Sequence, residues 1–224
     1  MTTKQITAAS YSRYASYTLC PLQAKYRYID RLPVPSSPAA ERGNEIHKHL
    51  EDYVNGKVAV KDLLDIAKPF KKHLDNIKTA KIHSTEGAWA FDQWWNPVKW
   101  FGEDVFVRIK IDAVSYIYDT ETLYVDDYKT GKVYPEHREQ MELYAAGGIA
   151  TFPEAQKIIT RLFYLDQRLI KEEEFTYQEA TQLQLEWGQK LQPMLMAKRF
   201  YAKPNDKCRW CHFRKSNGGP CKHG

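Results

Sequence analysis

Residues 123–129 have the sequence LYVDDYK, a short run of strand-forming residues that ends in charged side chains. Side chains on a strand point alternately to its two faces, so Asp127 and Lys129 share one face behind the apolar Val125. A carboxylate oxygen binds divalent cations, and a nearby ammonium group can orient a water or offset charge that develops on a phosphate. This run therefore predicts a strand that carries part of a metal-dependent hydrolytic site.

A second run, residues 105–114, has the sequence VFVRIKIDAV and also alternates as a strand does. Its apolar residues share one face, and Asp112 lies on the other. Residues 119–122, DTET, are a plausible turn, so the two runs are predicted to form a hairpin. Asp112 then approaches Asp127, and two bare carboxylates at short range would repel until one protonates. A bound cation would remove that repulsion.

A helix is predicted upstream, over residues 41–51, ERGNEIHKHLE. Gly43, His47 and Glu51 are spaced four apart and therefore lie on one face. An imidazole nitrogen from His47 would favour manganese over calcium at the same metal site. Glu51 is interpreted as a structural partner, with a water-mediated ligand as the alternative. The apolar stripe of this helix consists of Ile46, Leu50, Tyr53 and Val54.

Two polar residues on a later helix lie one turn apart. Gln140 and Tyr144 are separated by four positions, so both face the same way. They are predicted to contact either the nucleic acid or Lys129, and the alternative is that they only pack the helix onto the sheet.

In chain order, these motifs resemble those of a known nuclease family. The pieces G-x3-H-x3-E from Gly43, ID ending at Asp112, DYKTG over 127–131 and Q-x3-Y from Gln140 are similar to the RecB-like branch of the PD-(D/E)XK nuclease superfamily. Within that branch, the motif pattern resembles that of the small CRISPR-associated adaptation nucleases and of phage-encoded exonucleases. The resemblance implies an α/β, restriction-endonuclease-like fold, in which helices flank a mixed central β-sheet.

The resemblance also implies an activity and a set of site residues. It indicates a deoxyribonuclease, most simply an exonuclease acting on linear DNA with a preference for single strands. Mg²⁺ or Mn²⁺ would be held by His47, Asp112, Asp127 and the backbone carbonyl of Tyr128, and Lys129 would position the attacking water. Gln140 and Tyr144 complete the predicted catalytic set.

Four cysteines, Cys20, Cys208, Cys211 and Cys221, form a second pattern, with one upstream of the nuclease motifs and three downstream. Two thiolates separated by two residues suit a single metal centre. The related nucleases hold a 4Fe-4S cluster with the same one-plus-three layout, which would join the N-terminal helix to the C-terminal tail.

Two other interpretations of the cysteines remain open. A structural zinc site is one, with His212 or His223 replacing a missing ligand. Disulfides are the other, and they rank last because the sequence shows no secretory signal and a reducing, cytoplasmic location is expected.

Composition sets broader bounds on the chain. The 224 residues, 43% of them hydrophobic, predict one globular domain, and no apolar run is long enough to span a bilayer. The net charge of +5 is too small to indicate nucleic-acid binding alone. Residues 198–224, however, contain eight basic residues and one acidic residue, together with the aromatic residues Phe200, Tyr201, Trp210 and Phe213. This basic tail is predicted to follow a phosphate backbone, and a solvated charged surface is the alternative.

The predicted organisation is a single nuclease domain over residues 1–224. Its catalytic core spans 41–175, and the segments 10–30 and 198–224 form the cluster-bearing subregion. The predicted elements are helices over 10–30, 60–79, 136–150 and 177–199 and strands over 86–93, 101–118, 122–129, 157–165 and 168–175.

Functions of other classes also fit parts of the sequence. One alternative is a non-catalytic iron–sulfur or zinc module that binds nucleic acid and acts with a helicase or recombinase. The sequence contains no G-x4-G-K-[S/T] phosphate-binding loop, so any motor would be a separate partner; a helicase, a recombinase and a CRISPR integrase are the candidates. RNA is the alternative substrate to DNA.

Overall fold

A computed structural model describes residues 5–223, which divide into two compact units. One unit is Ser36–Trp187, and the other combines the described residues up to Pro35 with those from Gly188 onward. Among the helices of this described part, none is both long enough and apolar enough to cross a membrane. The helices are α1 (Tyr11–Leu19), α2 (Pro21–Tyr28), α3 (Pro38–Val54), α4 (Lys71–Thr79), α5 (His137–Thr151) and α6 (Tyr177–Leu195), and the strands are β1 (Ile82–Phe91), β2 (Val107–Ile117), β3 (Thr122–Lys129), β4 (Lys157–Tyr164) and β5 (Leu169–Thr176).

The five strands form one sheet in the order β1-β2-β3-β4-β5. Every neighbouring pair is antiparallel except β3 and β4, which are parallel and are connected through α5. A parallel pair requires such a crossover, because a tight turn can only reverse the chain. The predicted α/β fold with a mixed sheet and flanking helices is confirmed, and it is consistent with a restriction-endonuclease-like fold.

The predicted hairpin between β2 and β3 is confirmed. Glu121 takes the left-handed conformation that closes its turn, with φ of 47°. The strands pair with Ala113 opposite Asp126, and the same register sets Asp112 opposite Asp127. The alternation of β2 is also confirmed, because its apolar face is buried.

Helix α5 packs against side chains of the sheet through two glycines, Gly147 and Gly148. A Cβ atom on Gly147 would lie 2.5 Å from Ile109 Cδ1, and one on Gly148 would lie 2.9 Å from Leu123 Cδ2. Real Cβ atoms do not approach other atoms so closely, so a larger residue at either position would require these side chains to shift. The close approach brings the polar residues of the first turns of α5 to β3.

Helix α3 begins with the features expected of a helix N-terminus. The Ser37 hydroxyl accepts a hydrogen bond from the backbone N–H of Ala40, and Pro38 occupies the first helical position. Its predicted apolar stripe is buried in a core that also includes Leu74 and Ile77 of α4. This packing fixes the rotation of α3 and thereby the direction of His47.

Two predicted helices were wrong in extent. The helix predicted over 10–30 is two helices, because Cys20 is extended, with φ of −160° and ψ of 107°. A residue that precedes proline is driven out of the helical region, and Pro21 begins a new helix instead. Of the helix predicted over 60–79, only the part from Lys71 is an α-helix. Short 3₁₀ turns at Val60–Asp62 and Lys68–Phe70 precede it.

Candidate active site

One carboxylate connects α3 to the two central strands of the site. Asp112 Oδ1 lies 3.1 Å from His47 Nδ1, and Asp112 Oδ2 accepts a hydrogen bond of 2.5 Å from the backbone N–H of Tyr128. The rings of His47 and Tyr128 meet edge to face, with centroids 5.9 Å apart. His47, Asp112 and β3 are therefore held in one fixed arrangement, although they are far apart in sequence.

A closed ring of polar contacts connects four side chains, those of Asp127, Lys129, Gln140 and Tyr144. Tyr144 donates a hydrogen bond of 2.6 Å to Asp127 Oδ1 and accepts one of 2.6 Å from Gln140 Nε2. Lys129 Nζ donates one of 3.0 Å to Gln140 Oε1. Lys129 Nζ also lies 2.5 Å from Asp127 Oδ2, an ion pair without hydrogen-bond geometry, so this buried oxygen accepts no hydrogen bond from the described residues.

Two carboxylates of the site, those of Asp112 and Asp127, lie in a largely buried region. Burial raises the pKa of Asp112 above its usual value, and the charge of Asp127 raises it further. Burial lowers the pKa of His47, but its hydrogen bond with Asp112 and the charge of that carboxylate outweigh burial, so the pKa is raised overall. A divalent cation would offset the repulsion between the carboxylates, so the electrostatics fit a metal site.

The most compact group of potential metal ligands includes a residue that the sequence did not indicate. Within residues 5–223, the ligand atoms of His47, Glu86 and Asp112 all lie within 4.8 Å of one another, and no other such group of three is present there. Asp127 lies outside this group, and the Tyr128 carbonyl as a ligand remains a prediction. An imidazole and carboxylates suit Mn²⁺ and Mg²⁺. The open pocket around the group, about 400 Å³, is lined by Asn44, His47, Lys48, Glu51, Glu86, Lys110, Ile111 and Asp112.

Other predicted positions have structural partners. Glu51 accepts a hydrogen bond of 3.0 Å from Lys48 and also lines the pocket, so its structural role stays a prediction. His137, which sequence reasoning did not single out, stacks on Tyr164 and hydrogen-bonds to the Tyr164 hydroxyl at 2.7 Å. The charges of Lys129 and Asp127 both act on His137, so it lies at the margin of the same site.

The two adjacent aspartates of β3 have different partners. Asp126 is fully buried and accepts two hydrogen bonds, of 2.7 and 2.8 Å, from the guanidinium of Arg161 on β4. Asp127 points to the opposite face, toward Tyr144 and Lys129. The first aspartate therefore stabilises the sheet, and only the second belongs to the candidate active site.

Asp126→Asn should destabilise the fold without acting directly on the site. It leaves the buried guanidinium of Arg161 without a charge partner, and breaking a buried pair on one side costs about 3–5 kcal/mol. Urea unfolding of this variant beside Asp127→Asn measures the difference. Equal stability of the two variants would contradict the assignment of Asp126 as structural.

Tyr144→Phe should weaken any activity of the site while preserving the fold. The variant removes the donor to Asp127 and the acceptor for Gln140, and loss of a partner that orients a site residue costs about 10–100-fold. Single-turnover cleavage rates at saturating metal measure the effect. Tyr124→Phe on the same strand as Asp127 is the matched control, and an equal change in both variants would refute this role for Tyr144.

The four cysteines all lie in the unit that combines the two ends of the chain. All are free thiols and half-buried. Backbone N–H groups of Lys203 and Asn205 donate hydrogen bonds of 3.4 Å to the sulfurs of Cys20 and Cys208.

Cys211 lies within electrostatic reach of the other three cysteines. Burial raises its pKa, and the charges of the other thiolates add to this effect. Tetrahedral zinc with Zn–S bonds of about 2.3 Å requires sulfurs roughly 3.8 Å apart. In the described part of the chain, no three cysteine sulfurs all lie within 4.8 Å of one another, so they are spaced more widely than such a zinc site requires.

Comparisons with known proteins agree with this geometry. No curated protein matches the sequence significantly. The crystal structure of a candidate exonuclease from Eubacterium rectale aligns with a TM-score of 0.50 and 15% identity, over 91% of this chain and 88% of that one. The crystal structure of SSO0001 aligns with a TM-score of 0.44 and 19% identity, over 98% of this chain and 88% of that one, which is too distant to carry an argument. The family model of the PD-(D/E)XK nuclease superfamily matches residues 8–216, nearly the whole chain, and the chain therefore belongs to that superfamily.

Proposed function

We propose that this protein is a metal-dependent deoxyribonuclease, and specifically an exonuclease that hydrolyses linear DNA with a preference for single strands. The observation that carries the proposal is the arrangement of Asp127 and Lys129 on β3, opposite Asp112 on β2 and His47 on α3. A structurally similar protein is described as a candidate exonuclease, which supports the finer assignment.

The residues of the site have separate roles in this proposal. His47, Asp112 and Asp127 would hold a divalent cation, and the cation would polarise the scissile phosphate and lower the pKa of the attacking water. Lys129 orients the attacking water and offsets negative charge that develops on the phosphate.

The polar ring keeps Lys129 in place for that role. Gln140 accepts a hydrogen bond from the Lys129 ammonium, and Tyr144 connects Gln140 to Asp127. Preorganised charge stabilises a transition state more effectively than a mobile side chain does, because no reorganisation is needed during the reaction. Gln140 and Tyr144 are thus positioning residues.

The cysteines are proposed to hold a 4Fe-4S cluster. Each iron of such a cluster binds one thiolate, and the chain supplies four cysteines in the one-plus-three layout of the nucleases that it resembles. The N–H groups that already point at Cys20 and Cys208 are the kind of partner that tunes cluster sulfurs. Elemental analysis of anaerobically purified protein tests this directly: four irons with equimolar sulfide support the cluster, and zinc without iron supports the alternative.

The cluster-bearing unit is proposed to contact DNA. Trp210 is 61% exposed, and the Arg209 guanidinium lies 3.8 Å from its ring centroid. An exposed aromatic ring beside cations suits stacking on an unpaired base next to a phosphate. By the resemblance to RecB-like and CRISPR-associated nucleases, a helicase, recombinase or integrase is the class of protein partner expected.

Cleavage of end-labelled linear single-stranded DNA, linear duplex and circular DNA tests the proposed activity, with Mg²⁺, Mn²⁺ or EDTA present. Degradation of linear single strands only, and only with metal, is the expected result. Cleavage of circles would replace the exonuclease with an endonuclease. No cleavage by folded, cluster-loaded protein, together with intact DNA binding, would favour the non-catalytic module.

A further inference from the structure

Glu86 occupies a position beside the site that the motif pattern does not include. It lies on the edge strand β1, where Gly87 pairs with Ile111, and this register sets Glu86 opposite Asp112. Its carboxylate lies within 4.8 Å of ligand atoms of both Asp112 and His47. Asp112, on the strand between β1 and β3, is therefore flanked by a carboxylate on each side.

The local backbone at Glu86 is unfavourable for this residue type. Its φ is +52°, the left-handed region that residues with a Cβ atom rarely adopt, least of all within a strand. The backbone of the next residue, Gly87, lies close to the side chain of Ile111, since a Cβ on Gly87 would lie 2.7 Å from Ile111 Cγ1. Outliers of this kind are retained where the surrounding structure determines them, and they concentrate at functional sites.

Within residues 5–223, no cationic side chain forms an ion pair with Glu86. Lys48 lines the same pocket but pairs with Glu51 and Asp52, both at 3.0 Å. Lys110 also lines the pocket, but in the described part of the chain it forms no ion pair with Glu86 at a nitrogen-to-oxygen distance of 4.0 Å or less.

Asp127 places a further negative charge close to this pocket. This residue is 6% exposed, its Oδ2 atom pairs with the Lys129 ammonium at 2.5 Å, and its charge acts on both His47 and Asp112. At the pocket itself, the carboxylates of Glu86 and Asp112 converge with the imidazole of His47. Like charges at such short range are unfavourable unless a cation lies between them.

We propose that Glu86 is a direct ligand of the divalent cation, together with His47 and Asp112, so that the metal site extends from the central hairpin onto the edge strand. This inference rests on the proposed metal-dependent function and adds a residue to its ligand set. The donors, one nitrogen and carboxylate oxygens, suit Mn²⁺ and Mg²⁺.

Titration of Mn²⁺ into metal-free, full-length protein without DNA tests the proposal by calorimetry. Glu86→Gln keeps the size of the side chain and removes the charge. Its Mn²⁺ dissociation constant should rise at least about tenfold, because loss of even an indirect partner of a metal ligand costs about 10–100-fold. Glu103→Gln, which removes an exposed carboxylate outside the pocket, is the matched control and should bind as the wild type does.

The outcomes separate this inference from the function on which it rests. Wild-type affinity in Glu86→Gln, with weakened binding in Asp112→Asn, would overturn the role of Glu86 and leave the metal site standing. Absence of Mn²⁺ binding by the wild type would overturn the proposed function itself. Without metal, Glu86→Gln should be at least as stable as the wild type, because it removes a charge that repels Asp112. Glu86→Asp should recover part of the metal affinity.

Discussion

Lys129→Ala should reduce DNA cleavage by about 10²–10³-fold, the usual effect of removing one preorganised group that stabilises developing charge. The ammonium of Lys129 is held by Gln140 and lies 2.5 Å from Asp127 Oδ2, so its position depends on the fold and not on the substrate. Single-turnover cleavage of linear DNA at saturating Mn²⁺ measures the chemical step without a contribution from product release.

Lys132→Ala is the matched control for this experiment. Lys132 is exposed, lies three residues further along the chain and has no described contact in the site, so its loss should change cleavage little. A Lys129→Ala variant that cleaves at the wild-type rate while remaining folded would remove Lys129 from the mechanism. A parallel loss in both variants would indicate that general charge, and not the position of Lys129, matters.

Cys20→Ala should lower the stability of the cluster-loaded protein more than any substitution in the active site. Cys20 is the only proposed cluster ligand upstream of the nuclease motifs, so its loss opens a loop of about 190 residues. In the chain-entropy description of cross-links, closing a loop of that length is worth roughly 5 kcal/mol. Thermal unfolding under anaerobic conditions, with iron and sulfide measured on the same sample, gives the comparison.

The apo protein provides the control for Cys20→Ala. After chelation of iron, wild type and variant should melt at the same temperature, because the cross-link is then absent from both. Cys208→Ala should also lose iron and stability, with a smaller effect on cleavage measured below the melting temperature. Unchanged melting curves and unchanged metal content in these variants would refute the cluster.

Local sequence was sufficient for the elements that carry the motifs. The hairpin of β2 and β3 followed from two alternating runs and a short turn, so the approach of Asp112 to Asp127 was predictable. The helix of His47 followed from its apolar period of 3.6. These features depend on interactions between residues close in sequence, which patterns report well.

Local patterns were less informative where proline or tertiary packing decides the backbone. The break at Cys20 depends on the steric restriction that Pro21 places on its predecessor, which outweighs the helical pattern on both sides. Likewise, residues 60–70 form only turns and two short 3₁₀ segments before α4 begins at Lys71, and Pro69 lies in the second of these segments.

The sequence by itself determined the strand that carries Asp127 and Lys129, the helix that carries His47 and the order of the nuclease motifs. Only the tertiary structure decided that Arg161 of β4 neutralises Asp126 and that Glu86 of β1 lies beside Asp112. Both contacts depend on the register between strands that are distant in sequence or joined by long connections. That register is set by packing of the whole sheet against its helices, and no local pattern of residues records it.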